Sequence, residues 1–155
     1  MLKYCLRKWE ENKEALEEDL RNDVNLYVCN YAYLVKKVVS IILNGGEERK
    51  WNAENISVVS DGDCQGTLLY LIPRDEYYPG EGDYLMTYVN YGSCSHCDTL
   101  RGIQDFGECD GKPQEEQVKA YMALCKDLVC NMVKPYNYGW RNEEDFDRVG
   151  EEGDN

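Results

Sequence analysis

Cys94 and Cys97, separated by two residues in "YVNYGSCSHCDTLRGI" (Tyr88 to Ile103), are the side chains of this chain best equipped for chemistry. Four readings of the pair are open. A thiol at the start of a helix has its thiolate stabilised by the helix dipole and by unpaired N–H groups, and the order strand, Cys-x-x-Cys, helix is that of dithiol redox proteins. A short meander without a βαβ unit is the wrong setting for that fold. Zinc requires four tetrahedral ligands, usually two close pairs. Here Cys94 and Cys97 form one pair, and only Cys64, Cys109 and His96 are available to complete it. Cys125 and Cys130 are five apart on one helix and face different directions. An anion reading uses the backbone of Gly92, Ser93 and Ser95 at a helix start, although no lysine or arginine precedes Arg101 within the segment. The reading we favour is architectural. Ser93 or Ser95 caps the helix, and the small thiols pack beneath it as buried cysteines do.

Other chemistries are excluded more firmly. His96 is the sole histidine, so no mechanism needing two imidazoles is available. No His-x-Glu precedes the cysteines, and neither a Gly-x-Ser-x-Gly elbow nor a Gly-x-x-x-x-Gly-Lys loop occurs. A Cys–His nucleophile built from sequence neighbours is disfavoured because neighbours at a turn point apart. Asp61 and Asp63 are assigned to shaping a turn through bonds to their own backbone. No catalytic residue is assigned, no cofactor is called for, and zinc is the one metal left possible.

These residues must be held by the elements around them. Leu2, Leu6, Trp9, Leu16 and Leu20 make a narrow apolar stripe on a charged helix, broken where Lys13 falls in the seam, which predicts a peripheral position. The next helix is the clearest. Asp23 caps it, Tyr27, Tyr31, Leu34, Val35, Val38, Ile41 and Ile42 form its buried stripe, and Gly45-Gly46 ends it. Three β-rich runs follow, "NISVVS", "GTLLYLIP" and "DYLMTYVNYG", with connections too short for parallel crossovers, so neighbours pair antiparallel. A short helix is expected over 98–104. A long one then places Val118, Tyr121, Met122, Cys125, Leu128, Val129 and Met132 on one face. The expected fold is α+β, a small three-stranded antiparallel sheet packed by two or three long helices. Residues 1–141 form a single domain and 142–155 an acidic, loose tail.

Size and charge narrow the function. A chain of 155 residues suits one core. The N-terminus has no apolar signal core and no apolar run approaches a membrane span, so a cytoplasmic location is expected. There the eight cysteines are mostly thiols. Thirty acidic against 17 basic side chains give a net charge of −13, which repels nucleic-acid phosphate and anionic lipid. Direct nucleic-acid binding and membrane attachment are therefore not expected; a basic protein partner is. Nothing in the sequence fixes the oligomeric state.

"DGDCQGTLLYLIP" followed by "YGSCSHCDTLRGI" resembles a group of uncharacterised small bacteriophage-encoded proteins. In that group a Gln-Gly-Thr strand entry precedes a Tyr-Gly-Ser-Cys-Ser-x-Cys-Asp-Thr-Leu segment. The positions that match are Gln65, Gly66 and Thr67, then Tyr91 to Cys94, Ser95, Cys97, Asp98, Thr99 and Leu100. Cys64 stands where the group more often has an aromatic residue, which counts against it as a zinc ligand. The resemblance implies a phage accessory protein in the host cytoplasm that works without its own catalysis by binding a host or phage protein. In its sharper form it is an anti-defence inhibitor, in the manner of an anti-CRISPR protein, or a nucleic-acid mimic. Glu17, Glu18, Asp19, Glu143, Glu144 and Asp145 would then stand in for phosphates. The alternative is a small-ligand, zinc or redox site at the Cys94/Cys97 turn. Its ligand would meet Gln65, Gly66, Thr67, Tyr91, Gly92, Ser93, Ser95, Asp98 and Thr99, with Cys94, Cys97 and, most remotely, Cys109 as metal ligands.

Overall fold

The computed structural model describes residues 2–45, 50–62, 65–94, 97–105 and 111–134. Helix α1 spans Leu2–Arg21, α2 Tyr31–Lys37, α3 Thr99–Gln104 and α4 Glu115–Cys130; strands β1, β2 and β3 span Ser57–Ser60, Gly66–Pro73 and Tyr84–Tyr91. The strands form one antiparallel sheet in the order β1-β2-β3. The fold is α+β, as the sequence implies. The expected tail, with Glu143, Glu144 and Asp145, lies outside the described residues.

The sheet has two unlike faces. In β2 and β3 the register sets Tyr70 opposite Thr87 and Ile72 opposite Leu85, and all four are buried against the helices. Alternation then turns Leu69, Leu71, Met86 and Tyr88 to the other side. Thr87 ties the covered face to α4, because its hydroxyl donates to the Leu128 carbonyl at 2.6 Å. On the far edge of β3, Met86 and Val133 exchange backbone bonds of 2.8 Å each. β1 is the other edge, and all four of its residues are exposed.

α1 is more central than its stripe predicts, packing along α4 and the segment after α2. Its buried residues are Tyr4, Cys5, Lys8, Trp9, Leu16 and Leu20, whereas Leu2 is 41% exposed. The seam runs 5, 9, 12, 16, 20. Asn12 therefore occupies the position that Lys13 was expected to spoil. Its amide donates to the carbonyls of Lys8 at 3.1 Å and Ile42 at 3.0 Å, and Lys13 turns out to Glu10. A polar side chain fits a seam when its hydrogen bonds are met there.

The second helix also begins later than expected. A 3-10 turn covers Leu26–Val28, and Asn30 caps α2 by accepting from the Tyr33 N–H at 3.0 Å. Tyr27 thus falls outside the helix and is 42% exposed. Asp23 instead accepts from the Asn25 N–H and the Tyr33 hydroxyl and pairs with Lys37. Beyond Lys37 the backbone widens into π-helical geometry over Val38–Leu43, with the Asn44 N–H reaching back to the Val39 carbonyl. Val38, Val39, Ile42 and Leu43 are buried there, and Ile41 only partly.

Candidate functional site

The sheet register brings the two motif segments together. Gly66 pairs with Tyr91 and Thr67 with Asn90, so the entry to β2 lies beside the exit of β3. Asp61 holds the β1–β2 turn by accepting from the Thr67 N–H at 2.7 Å, in keeping with its turn-shaping assignment. A Cβ on Gly66 would meet the Asp61 carboxylate at 2.7 Å. The Thr67 hydroxyl bonds Asn90 at 2.9 Å, the Tyr91 hydroxyl lies 3.1 Å from Ser60 Oγ, and Gln65 is exposed.

Past Tyr91 the chain folds back tightly. The Cys94 carbonyl accepts from the N–H groups of Cys97 at 3.1 Å and Asp98 at 2.9 Å, closing a turn just ahead of α3. Gly92 is buried against that turn, where a Cβ would come within 2.6 Å of both the Cys97 carbonyl oxygen and Sγ. Glycine is required by this close approach.

Asp98 caps α3, accepting from the Arg101 N–H at 3.1 Å. This corrects the expected serine cap. Aspartate is as strong an N-cap as serine, and here it sits at the residue from which the helix departs. The same carboxylate accepts from the Gly92 N–H at 2.9 Å and from the Tyr31 hydroxyl at 2.7 Å. Tyr31 Oη in turn accepts the Leu100 N–H at 3.1 Å. Burial, reinforced by Asp98, pushes the Tyr31 phenol well above its ordinary value and keeps it a donor. Ser93 is exposed, and its carbonyl accepts from Arg101 Nη1 at 2.5 Å. The Gly92 donor that an anion would use is thus taken up by Asp98.

The thiols are not packed beneath the helix, which is a second correction. Both are exposed, and their sulfurs lie 3.0 Å apart. The turn that brings them together points their side chains outward while Asp98 and Leu100 take the buried positions. Cys97 Sγ accepts the Cys94 N–H at 3.3 Å. The Cys94 thiol, with that N–H, draws the Cys97 thiol below its ordinary value. Elsewhere, burial pushes Cys29 up to about 11 and Cys125 up to about 12. Cys130 is exposed and Cys125 buried, so the two face apart on α4.

No group of three or more His, Cys, Asp or Glu side chains that could hold a metal ion occurs among the described residues. Cys64, Ser95, His96 and Cys109 lie outside them. Thr99 is exposed and borders a shallow groove of about 290 Å³ between α3 and α4, lined also by Ile103, Gln117 and Ala120. The expected acidic surface on α1 is largely engaged within the chain. Glu17 and Glu18 pair with Arg21, and Asp19 with Lys37.

Sequence reasoning placed Tyr31 in a buried helical stripe, as found, but missed its bond to Asp98 and the capping role of Asp98. For Asp98 a signal existed, since Asp-Thr-Leu-Arg is a sound helix entry. For the bond from Tyr31, 67 residues away, there was none. The class that fold and site define is an α+β protein with an exposed dithiol turn at the end of a three-stranded sheet. Compared with known proteins, the chain matches no family model, no curated protein and no solved structure.

Proposed function

We propose that this protein works by binding another protein, without catalysis of its own. The observation that carries the reading is the connection from β2 to β3, where Tyr77 and Tyr78 are 89% and 84% exposed. Their rings meet edge to face with centroids 4.6 Å apart. Exposed tyrosines offer large contact area at little conformational cost, and such residues anchor protein interfaces. The sheet face that turns away from the helices carries Leu69, Leu71, Met86 and Tyr88, and Val59 of the edge strand β1, opposite Leu69, lies on the same side.

The net charge of −13 favours a basic partner. In the phage setting that the resemblance implies, the partner is a host or phage protein and the effect an anti-defence inhibition. Nucleic-acid mimicry would draw less on Glu17, Glu18 and Asp19, which are paired within the chain, than on other carboxylates. The test is affinity capture from a bacterial host lysate at low ionic strength, comparing the native chain with Y77A/Y78A. A specific partner is expected, lost in the double variant while the melting temperature is kept. Recovery of no partner, or undiminished recovery with Y77A/Y78A, overturns the reading.

A further inference from the structure

The contact between Cys94 and Cys97 goes beyond that reading. We propose that the pair is a thiol–disulfide exchange site that closes reversibly against a small-molecule disulfide of the glutathione class. Three features of the geometry support it. The two sulfurs already touch at 3.0 Å, so closing to the roughly 2.05 Å of a disulfide bond needs only a small movement. The turn that carries them is fixed on both sides, by the Cys94 carbonyl accepting from Cys97 and Asp98 and by Gly92 packed against Cys97. The pair is also open to solvent, whereas Cys5 and Cys125 are buried and Cys29 is partly covered. Exposed dithiols held in contact are the labile kind, able to exchange where buried thiols are inert.

The chemistry balances in two exchanges. Cys97, whose sulfur accepts the Cys94 N–H, attacks one sulfur of the incoming disulfide as its thiolate. A Cys97 mixed disulfide forms, the disulfide bond of the reagent breaks, and one small thiolate leaves and takes up a proton. Cys94 then loses its proton to solvent and attacks the Cys97 sulfur, forming the Cys94–Cys97 bond and expelling the second small thiolate. The protein gives up two electrons and two protons, and one small disulfide is reduced to two thiols. The reverse sequence reopens the pair.

Cys130 is an exposed cysteine on α4, and it supplies an internal reference. The reduced full-length protein is equilibrated with oxidised and reduced glutathione at graded ratios, quenched with acid, alkylated and peptide-mapped. The expected result is a peptide lighter by two hydrogens carrying both Cys94 and Cys97, blocked together and restored by reduced glutathione, while Cys130 gives at most a glutathione adduct. In C94S the exchange stops halfway, as a glutathione adduct on Cys97. Both variants, C94S and C97S, keep the native melting temperature because the thiols are exposed. Two free thiols at every ratio overturn the proposal, as does a Cys97 adduct in the native chain that never resolves to the internal bond. Stoichiometric zinc in the purified protein that disappears in C94S also overturns it.

Discussion

Asp98 is only 5% exposed, yet it faces three donors, the N–H groups of Gly92 and Arg101 and the hydroxyl of Tyr31. A buried carboxylate is tolerated when such bonds satisfy it, and removing it strands the donors instead. Asp98→Ala is therefore expected to lower unfolding free energy by about 3 kcal/mol in urea titration, and Tyr31→Phe by about 2 kcal/mol. The Tyr31 change is the smaller because Asp98 keeps its two backbone donors. Equal, negligible losses in both variants would refute the network. The aspartate was legible as a helix entry in Asp98-Thr99-Leu100-Arg101, but its place in the network was not, because Tyr31 comes to it from another helix.

Elements are joined at one charged cluster that no local pattern announces. Lys37 of α2 pairs with Asp19 of α1 and with Asp23 in the turn between them, and the Lys37 and Asp23 side chains are 14% and 7% exposed. Burial alone would raise the Asp23 carboxyl, but Lys37, the Tyr33 hydroxyl and the Asn25 N–H together hold it below its ordinary 3.8. A carboxyl depressed by folding stabilises the native state above its unfolded value, and that contribution is lost as pH falls through the folded value. Unfolding free energy followed from pH 6 down to about pH 2 should show an acid limb below roughly pH 4. In Lys37→Met that limb should flatten, with a loss near neutrality of about 2 kcal/mol, less than for a fully buried pair because Asp19 is partly solvated. An unchanged acid limb in the variant would show that the cluster does not couple the two helices. The helices themselves were readable from spacing. Their ends and seams were not, because Asn30 rather than Asp23 starts α2, and Asn12 rather than Lys13 occupies the α1 seam.

The whole molecule carries 13 more formal negative charges than positive ones. Charge of one sign acts first on encounter rate, and screening shortens its reach to about 8 Å at physiological ionic strength. For a basic partner, the association rate measured by stopped-flow or surface binding should fall about tenfold or more from low to high salt, with the dissociation rate changing far less. A rate indifferent to salt would mean that the apolar sheet face alone selects the partner. Among the described residues, no helix is long and apolar enough to cross a membrane.

Composition and spacing by themselves determined the α+β class, the three antiparallel strands and their connections, and most of the buried face of α4. Each rests on periodicity within one segment or on the reach of a short connection, and both are local properties. Only the tertiary structure decided that the thiols of Cys94 and Cys97 face solvent in contact, that Gly92 and Tyr31 brace the turn behind them, and that, among the described residues, no helix covers one face of the sheet. Those outcomes depend on which surfaces distant segments cover, and a side chain's exposure is set by neighbours that sequence spacing does not specify.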